Sequence, residues 1–200
     1  PMRTFFLLCV GIIPNSFLKR ILYKIFFGYQ IGSGTKIGMC LLDAKTVTIG
    51  NGCRIHSFVT VRRVNEFILG NQTTVGSFNL FTTSIEADFY KHTFETGDEV
   101  LLTRGHRFDM SAGISIGSGT IVGGVGGSFW THGAWKDHLP IRIGNKCYIS
   151  DAAQILPGVE LKENSLVAAG AVVLKNQYPA DCILLGNPAT VVKENYVWWK

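Results

Sequence analysis

The chain has 200 residues, 46% of them hydrophobic, and a formal net charge of +5. That length supports one domain with a substantial core, and no second globular domain is expected. Arg3, Lys19, Arg20 and Lys24 put +4 into residues 1–30, which hold no acid, so the remaining chain carries +1 and has no basic stripe for nucleic acid.

The N-terminal segment, residues 1–28, reads as helical. An apolar run over residues 5–13 is interrupted by Pro14-Asn15-Ser16, and Phe17, Leu18, Ile21, Leu22 and Ile25 then recur at helical spacing. Asn15 or Ser16 suits the N-cap and Gly28 the C-terminal end. Lys19, Arg20, Tyr23 and Lys24 are expected on the face opposite the apolar one. Neither run reaches the ~20 residues that span a bilayer, and there is no A-x-A-like cleavage site, so no transmembrane helix or secretory signal is expected. Two readings stay open: a cap on the domain that follows, or an interfacial anchor whose cations meet an anionic membrane surface.

From Ile31 a different period takes over. Ile31-Gly32-Ser33-Gly34-Thr35 leads to Ile37, Ile49-Gly50-Asn51-Gly52-Cys53 to Ile55, and Leu69-Gly70-Asn71-Gln72-Thr73 to Val75. In the C-terminal half Ile143, Ile149, Ile155, Leu161, Val167 and Val173 stand six apart, and small or β-branched residues follow four positions after the first five. A helix would scatter that spacing around its axis, and a strand alternates by two. The chain must turn a corner every six residues, so three sides make a coil of about eighteen, and stacked coils bury an aliphatic column in a parallel β-helix. Comparable corners fall at 31, 49, 69, 96, 116, 143 and 161, and the two longest steps imply insertions around 81–95 and 127–142. Insertions in a repeat array are where function tends to be placed.

Cys9, Cys40, Cys53, Cys147 and Cys182 are odd in number and lack a Cys-x-x-Cys, while Cys53 and Cys147 hold inward repeat positions. Such spacing fits buried thiols in a reducing compartment better than a disulfide framework or zinc site, and favours the cytoplasm.

Residues 29–193 resemble the hexapeptide-repeat acyltransferases, a left-handed parallel β-helix superfamily that includes sugar and polysaccharide O-acetyltransferases. The likeness is carried by Pro140-Ile141-Arg142-Ile143-Gly144, Ile155-Leu156-Pro157-Gly158-Val159, Val167-Ala168-Ala169-Gly170-Ala171 and Gly186-Asn187-Pro188-Ala189. The left hand is implied by the resemblance, since parallel crossovers are ordinarily right-handed. The remaining boundaries are 1–28 for the helical segment and 194–200 for a tail.

The resemblance implies transfer of an acyl group, with acetyl-CoA as co-substrate and no metal, to a sugar hydroxyl of a surface polysaccharide or lipid-linked glycan. It implies a homotrimer whose sites lie between neighbouring β-helices. It places a catalytic histidine shortly before the Pro-Ile-x-Ile-Gly motif, where this chain has Phe129-Trp130-Thr131-His132-Gly133. A sugar hydroxyl attacks a thioester only if a base takes its proton, and an imidazole suits that task. Asp109 and Asp137 are candidates to orient it, with Asp137 assigned beside His132. The pantetheine arm is expected along Ala152, Ala168, Ala169 and Gly170, with Lys175 and Lys193 near the phosphates. A backbone N–H of the 150–153 corner, or of Gly170, would face the oxyanion. Asn79, His106, Trp130 and Trp135 are expected on the acceptor, with His106 equally able to pack at a corner; His92 and His138 have no assigned role. Competing readings are an N-acyltransferase acting on an amino-sugar nucleotide, a non-catalytic β-helix scaffold, and a metal enzyme built on His106, His132 and His138.

Overall fold

The computed structural model describes residues 2–83, 92–133 and 138–199. They form a parallel left-handed β-helix of about seven coils, preceded by two helices. Each coil has three sides. Side one begins with Gln30–Ile31, side two with Lys36–Ile37, and side three with the start of the long strand Cys40–Ile49.

The six-residue period becomes a column because each inward side chain pairs with its counterpart one coil on. On side two, Ile37, Ile55, Val75, Leu102, Val122, Ile149, Val167 and Leu184 follow one another in unbroken parallel register, and all are buried. Side three has its own column, in which Phe81 stacks on Phe108 with ring centroids 4.7 Å apart and Phe108 on Phe129 at 4.6 Å. That spacing matches the ~4.8 Å between hydrogen-bonded strands, so the rings stay in contact through successive coils.

Both predicted insertions leave from one place, the corner where side three passes to side one. The first lies between Leu80–Thr82 and Thr93–Thr96, the second between Ser128–Trp130 and Ile141–Ile143. We call this the loop corner. The opposite edge of side three, where side two ends, is the small-residue corner: Gly105, Gly126, Ala152 and Gly170 occupy it with positive φ, and Phe58 and Phe78 do so in earlier coils.

Helices α1 (Met2–Gly11) and α2 (Ser16–Phe27) cover the first coil, α1 packing on Cys40–Ile49 and α2 on Lys36–Ile37. Asn15 caps α2 by accepting from the Phe17 and Leu18 N–H groups, and Gly28 ends it at φ 68°. The expected polarity of α2 is corrected by the packing. Lys19 and Tyr23 are fully buried against the solenoid, whereas Phe17, Leu18, Ile21 and Ile25 are exposed. The reason is a set of carbonyls left over where α1 ends and the first coil turns: the Lys19 ammonium donates to Gly11, Ile37 and Gly38 at 2.9, 3.2 and 2.5 Å. Burial lowers its pKa. Three charge-assisted bonds offset the desolvation and turn the cation inward.

At the other end, Ala189–Lys193 pairs antiparallel with Ile183–Gly186. The tail folds back, with Trp198 Nε1 donating to Lys146 O and Trp199 Nε1 to Asn164 Oδ1. Cys40, Cys53, Cys147 and Cys182 are free and buried, and Cys9 is free and exposed. No helix among the described residues is long and apolar enough to cross a membrane.

Candidate active site

His132 follows the strand Ser128–Trp130 at the loop corner. Its Nδ1 lies 2.9 Å from Oδ2 of Asp109, which ends the strand one coil earlier. The carboxylate is 4% exposed and the imidazole 30%. Asp109 is itself held: Oδ1 accepts from the Ser111 N–H and hydroxyl at 3.1 and 2.8 Å. The two atoms are in ion-pair contact without the alignment of a hydrogen bond. A carboxylate this close to Nδ1 favours the tautomer with its proton there, leaving the Nε2 lone pair to take a proton from outside.

Thr131 and Ser111, given no role in the sequence reading, build this arrangement. The buried Thr131 hydroxyl donates to Asp109 O and accepts from Ala112 N–H, both at 2.9 Å. Its carbonyl accepts from Leu139 N–H, drawing the far end of the loop back. His138 then lies parallel to His132, ring centroids 5.8 Å apart. A hydroxyl residue beside each charged one is too common in sequences to have marked them.

Of the other expected residues, Trp130 stands at this corner, half-buried, with the Arg107 guanidinium 4.8 Å from its ring centroid. Lys175 is exposed near Gly158 along the same edge. Asp137 and Trp135 lie outside the described residues; among those described, Asp109 is the carboxylate on His132.

Asn79 and His106 lie together at the small-residue corner, and both are 1% exposed. The Asn79 carbonyl accepts from His106 N–H at 2.8 Å, and its amide donates to Gly76 and Thr103 carbonyls. His106 Nδ1 accepts from Gly127 N–H, and Nε2 is 2.9 Å from the Thr103 hydroxyl. Burial holds its pKa down at about 4. These two expected acceptor contacts therefore stitch the corner and present almost no surface, because every polar atom is used on backbone or a neighbouring hydroxyl. A metal site joining His106 to His132 and His138 is not formed, since the rings stand at opposite edges of side three. Among the described residues no His, Cys, Asp and Glu cluster is placed to hold a metal.

Ala152, Ala169 and Gly170 are exposed at the small-residue corner and Ala168 half-buried beside them. A Cβ added to Gly126 or Gly170 would meet nothing within 4 Å, so a thin chain has room to lie here. Lys193 is exposed, its ammonium 4.7 Å from the Tyr196 ring centroid. Of the expected oxyanion donors, the N–H groups of Ser150, Ala152, Ala153 and Gly170 are spent on carbonyls of the solenoid. The groove and His132 thus stand at opposite ends of side three: Ala152 precedes Gln154–Ile155, the strand that pairs with Ser128–Trp130.

No family model matches the chain. The bifunctional protein GlmU of Clostridium acetobutylicum is 25% identical over 168 residues, covering 84% of this chain and 29% of GlmU. GlmU of Streptococcus pyogenes serotype M5 is 25% identical over 180 residues, covering 84% and 36%. The matches span 28% to 36% of the length of the curated relatives. Among solved structures, the polySia specific acetyltransferase NeuO superposes with a TM-score of 0.70 at 16% identity, covering 86% of this chain and 84% of NeuO. The polysialic acid O-acetyltransferase OatWY does so with a TM-score of 0.55 at 18% identity, covering 86% and 87%. The fold is the parallel β-solenoid of the hexapeptide-repeat acetyltransferases.

Proposed function

We propose that the protein is an acyl-CoA-dependent O-acyltransferase, acting with acetyl-CoA on a sugar hydroxyl of a surface polysaccharide or lipid-linked glycan. The observation that carries this reading is the His132–Asp109 pair, a buried carboxylate on Nδ1 of a half-exposed imidazole, on a solenoid of this kind. His132 Nε2 takes the hydroxyl proton as the sugar oxygen bonds to the thioester carbonyl carbon. The carbon–sulfur bond then breaks, and the proton passes from the imidazolium to the departing thiolate. Asp109 stabilises the imidazolium in between. The open corner at Ala152, Ala168, Ala169 and Gly170 suits the pantetheine arm, and Lys193 its phosphates.

Because that corner is remote from His132 within one chain, the complete site needs two chains, and we assign a homotrimer in which the loop corner of one subunit faces the small-residue corner of the next. The exposed apolar face of α2 supports the anchor reading of residues 1–28, at an anionic membrane surface on the cytoplasmic side.

The test is incubation with acetyl-CoA and a panel of glycan acceptors, following free thiol and the ester on the sugar. Transfer to a hydroxyl that disappears in His132→Asn is expected. Transfer to an amino-sugar nucleotide alone would replace the O-acyl reading by an N-acyl one, and no thiol release with any acceptor would overturn both.

A further inference from the structure

Among the described residues, side three carries an excess of cations beside His132. The two ion pairs among the described residues are Arg3–Asp43 and Asp109–His132, so Asp43 and Asp109 are already engaged. Arg62, Arg63 and Arg107 are exposed, and among the described residues none of them forms an ion pair, although Arg62 stands in register opposite Asp43, which Arg3 holds. Thr60 pairs with Leu80, and Leu80 with Arg107, so the strand of Arg62 lies two coils from that of Arg107, roughly 10 Å away.

Arg107 is also held in place. Its guanidinium lies 4.8 Å from the Trp130 ring centroid, and Trp130 pairs in register with Asp109, the carboxylate on His132. A cation held over an aromatic face keeps N–H groups available to donate to a ligand. A guanidinium held near an aromatic ring matches a carboxylate bidentately and loses less side-chain freedom on doing so.

We infer that side three recognises an anionic glycan: Arg107 takes the carboxylate of the sugar presented to His132, and Arg62 and Arg63 take another carboxylate farther along the same chain. The assignment of that sugar to His132 rests on the proposed acyl transfer, whereas the binding does not. A neutral polysaccharide would leave Arg63 and Arg107 without an ion-pair partner among the described residues along its path.

The experiment is a calorimetric titration of the full chain, without acyl donor, using oligogalacturonate and its carboxyl-reduced, neutral counterpart. Wild type should bind the carboxylated oligomer about 10- to 100-fold more tightly, with the difference shrinking as salt rises. Arg107→Gln should remove most of that preference, and Arg107→Lys should restore only part, because a point charge lacks the fork. Arg62→Gln with Arg63→Gln should weaken long oligomers more than a single uronate. All three side chains are exposed, and circular dichroism checks the fold of each variant. Equal binding of the two oligomers by wild type, or a preference that survives Arg107→Gln, overturns the inference even if acetyl transfer is found. Carboxylate-selective binding without acetyl transfer to any acceptor would leave it standing and remove the proposed reaction.

Discussion

His132 and Asp109 belong to consecutive coils, and 2.9 Å between Nδ1 and Oδ2 brings together two residues that share no sequence motif; in the proposed reaction they act as one unit. Groups that act through one proton do not contribute independently. His132→Ala is expected to lower turnover by about 10²-fold or more, and Asp109→Asn by about 10-fold or more. The double variant should be little worse than His132→Ala. Additive losses in a kinetic double-mutant cycle would show that Asp109 does not work through the histidine.

The separation of His132 from the small-residue corner makes a prediction about mixtures. His132→Ala and Ala169→Trp, the second obstructing the groove, should each be inactive alone. Refolded together at equal amounts they should regain about a quarter of wild-type activity, because in a random trimer that fraction of sites draws an intact histidine and an intact groove from neighbouring chains. Light scattering should report a trimer, and an active monomer would refute the shared site.

His106 sets a pH window for stability. Its folded pKa, pushed down to about 4 by burial, lies below the ordinary histidine value of 6.5, so the unfolded chain takes up a proton that the folded chain refuses. Its neutral form is fully accommodated above pH 6.5, and stability is lost as pH falls from there toward 4, by about 3 kcal/mol at most. Urea unfolding across that range should show a steeper fall for wild type than for His106→Gln. Parallel curves would mean that His106 is not the group responsible.

The outward apolar face of α2 predicts attachment to anionic vesicles. In flotation assays the protein should bind at low salt and bind less at high salt, since Arg20 and Lys24 interact with headgroups through screened charge. Phe17→Ser with Ile25→Ser should reduce binding more than Arg20→Gln with Lys24→Gln, because the burial of apolar surface is the larger contribution. A wild-type protein that stays in the aqueous fraction at low salt would reduce the helices to a cap.

The solenoid was legible because its period is a geometric requirement repeated many times: Ile143, Ile149 and Ile155 can line one interior only if the chain turns between them. The place of His132 before a recognised motif marked it as a candidate, and the structure sets it beside a buried carboxylate. Asp109 as its partner was not singled out, since register between coils depends on the lengths of the intervening corners. Lys19 does lie opposite the apolar face as expected, but that this face turns inward was not legible, because the deciding groups are backbone carbonyls of Gly11, Ile37 and Gly38, which no side-chain pattern displays. His106 looked equally suited to a ligand and to a corner; the packing uses both its nitrogens inside the protein.

The two ends of the coil stack are finished by different means, and this bears on what keeps the protein from polymerising. A parallel stack offers unpaired backbone groups at each end, a template on which another molecule could continue the same ladder. Helices α1 and α2 lie over one end, and at the other Ala189–Lys193 reverses direction against Ile183–Gly186. An antiparallel strand cannot be extended by another coil in parallel register. The last strand therefore closes the side-two ladder at this end, and removing it would reopen that one edge to pairing.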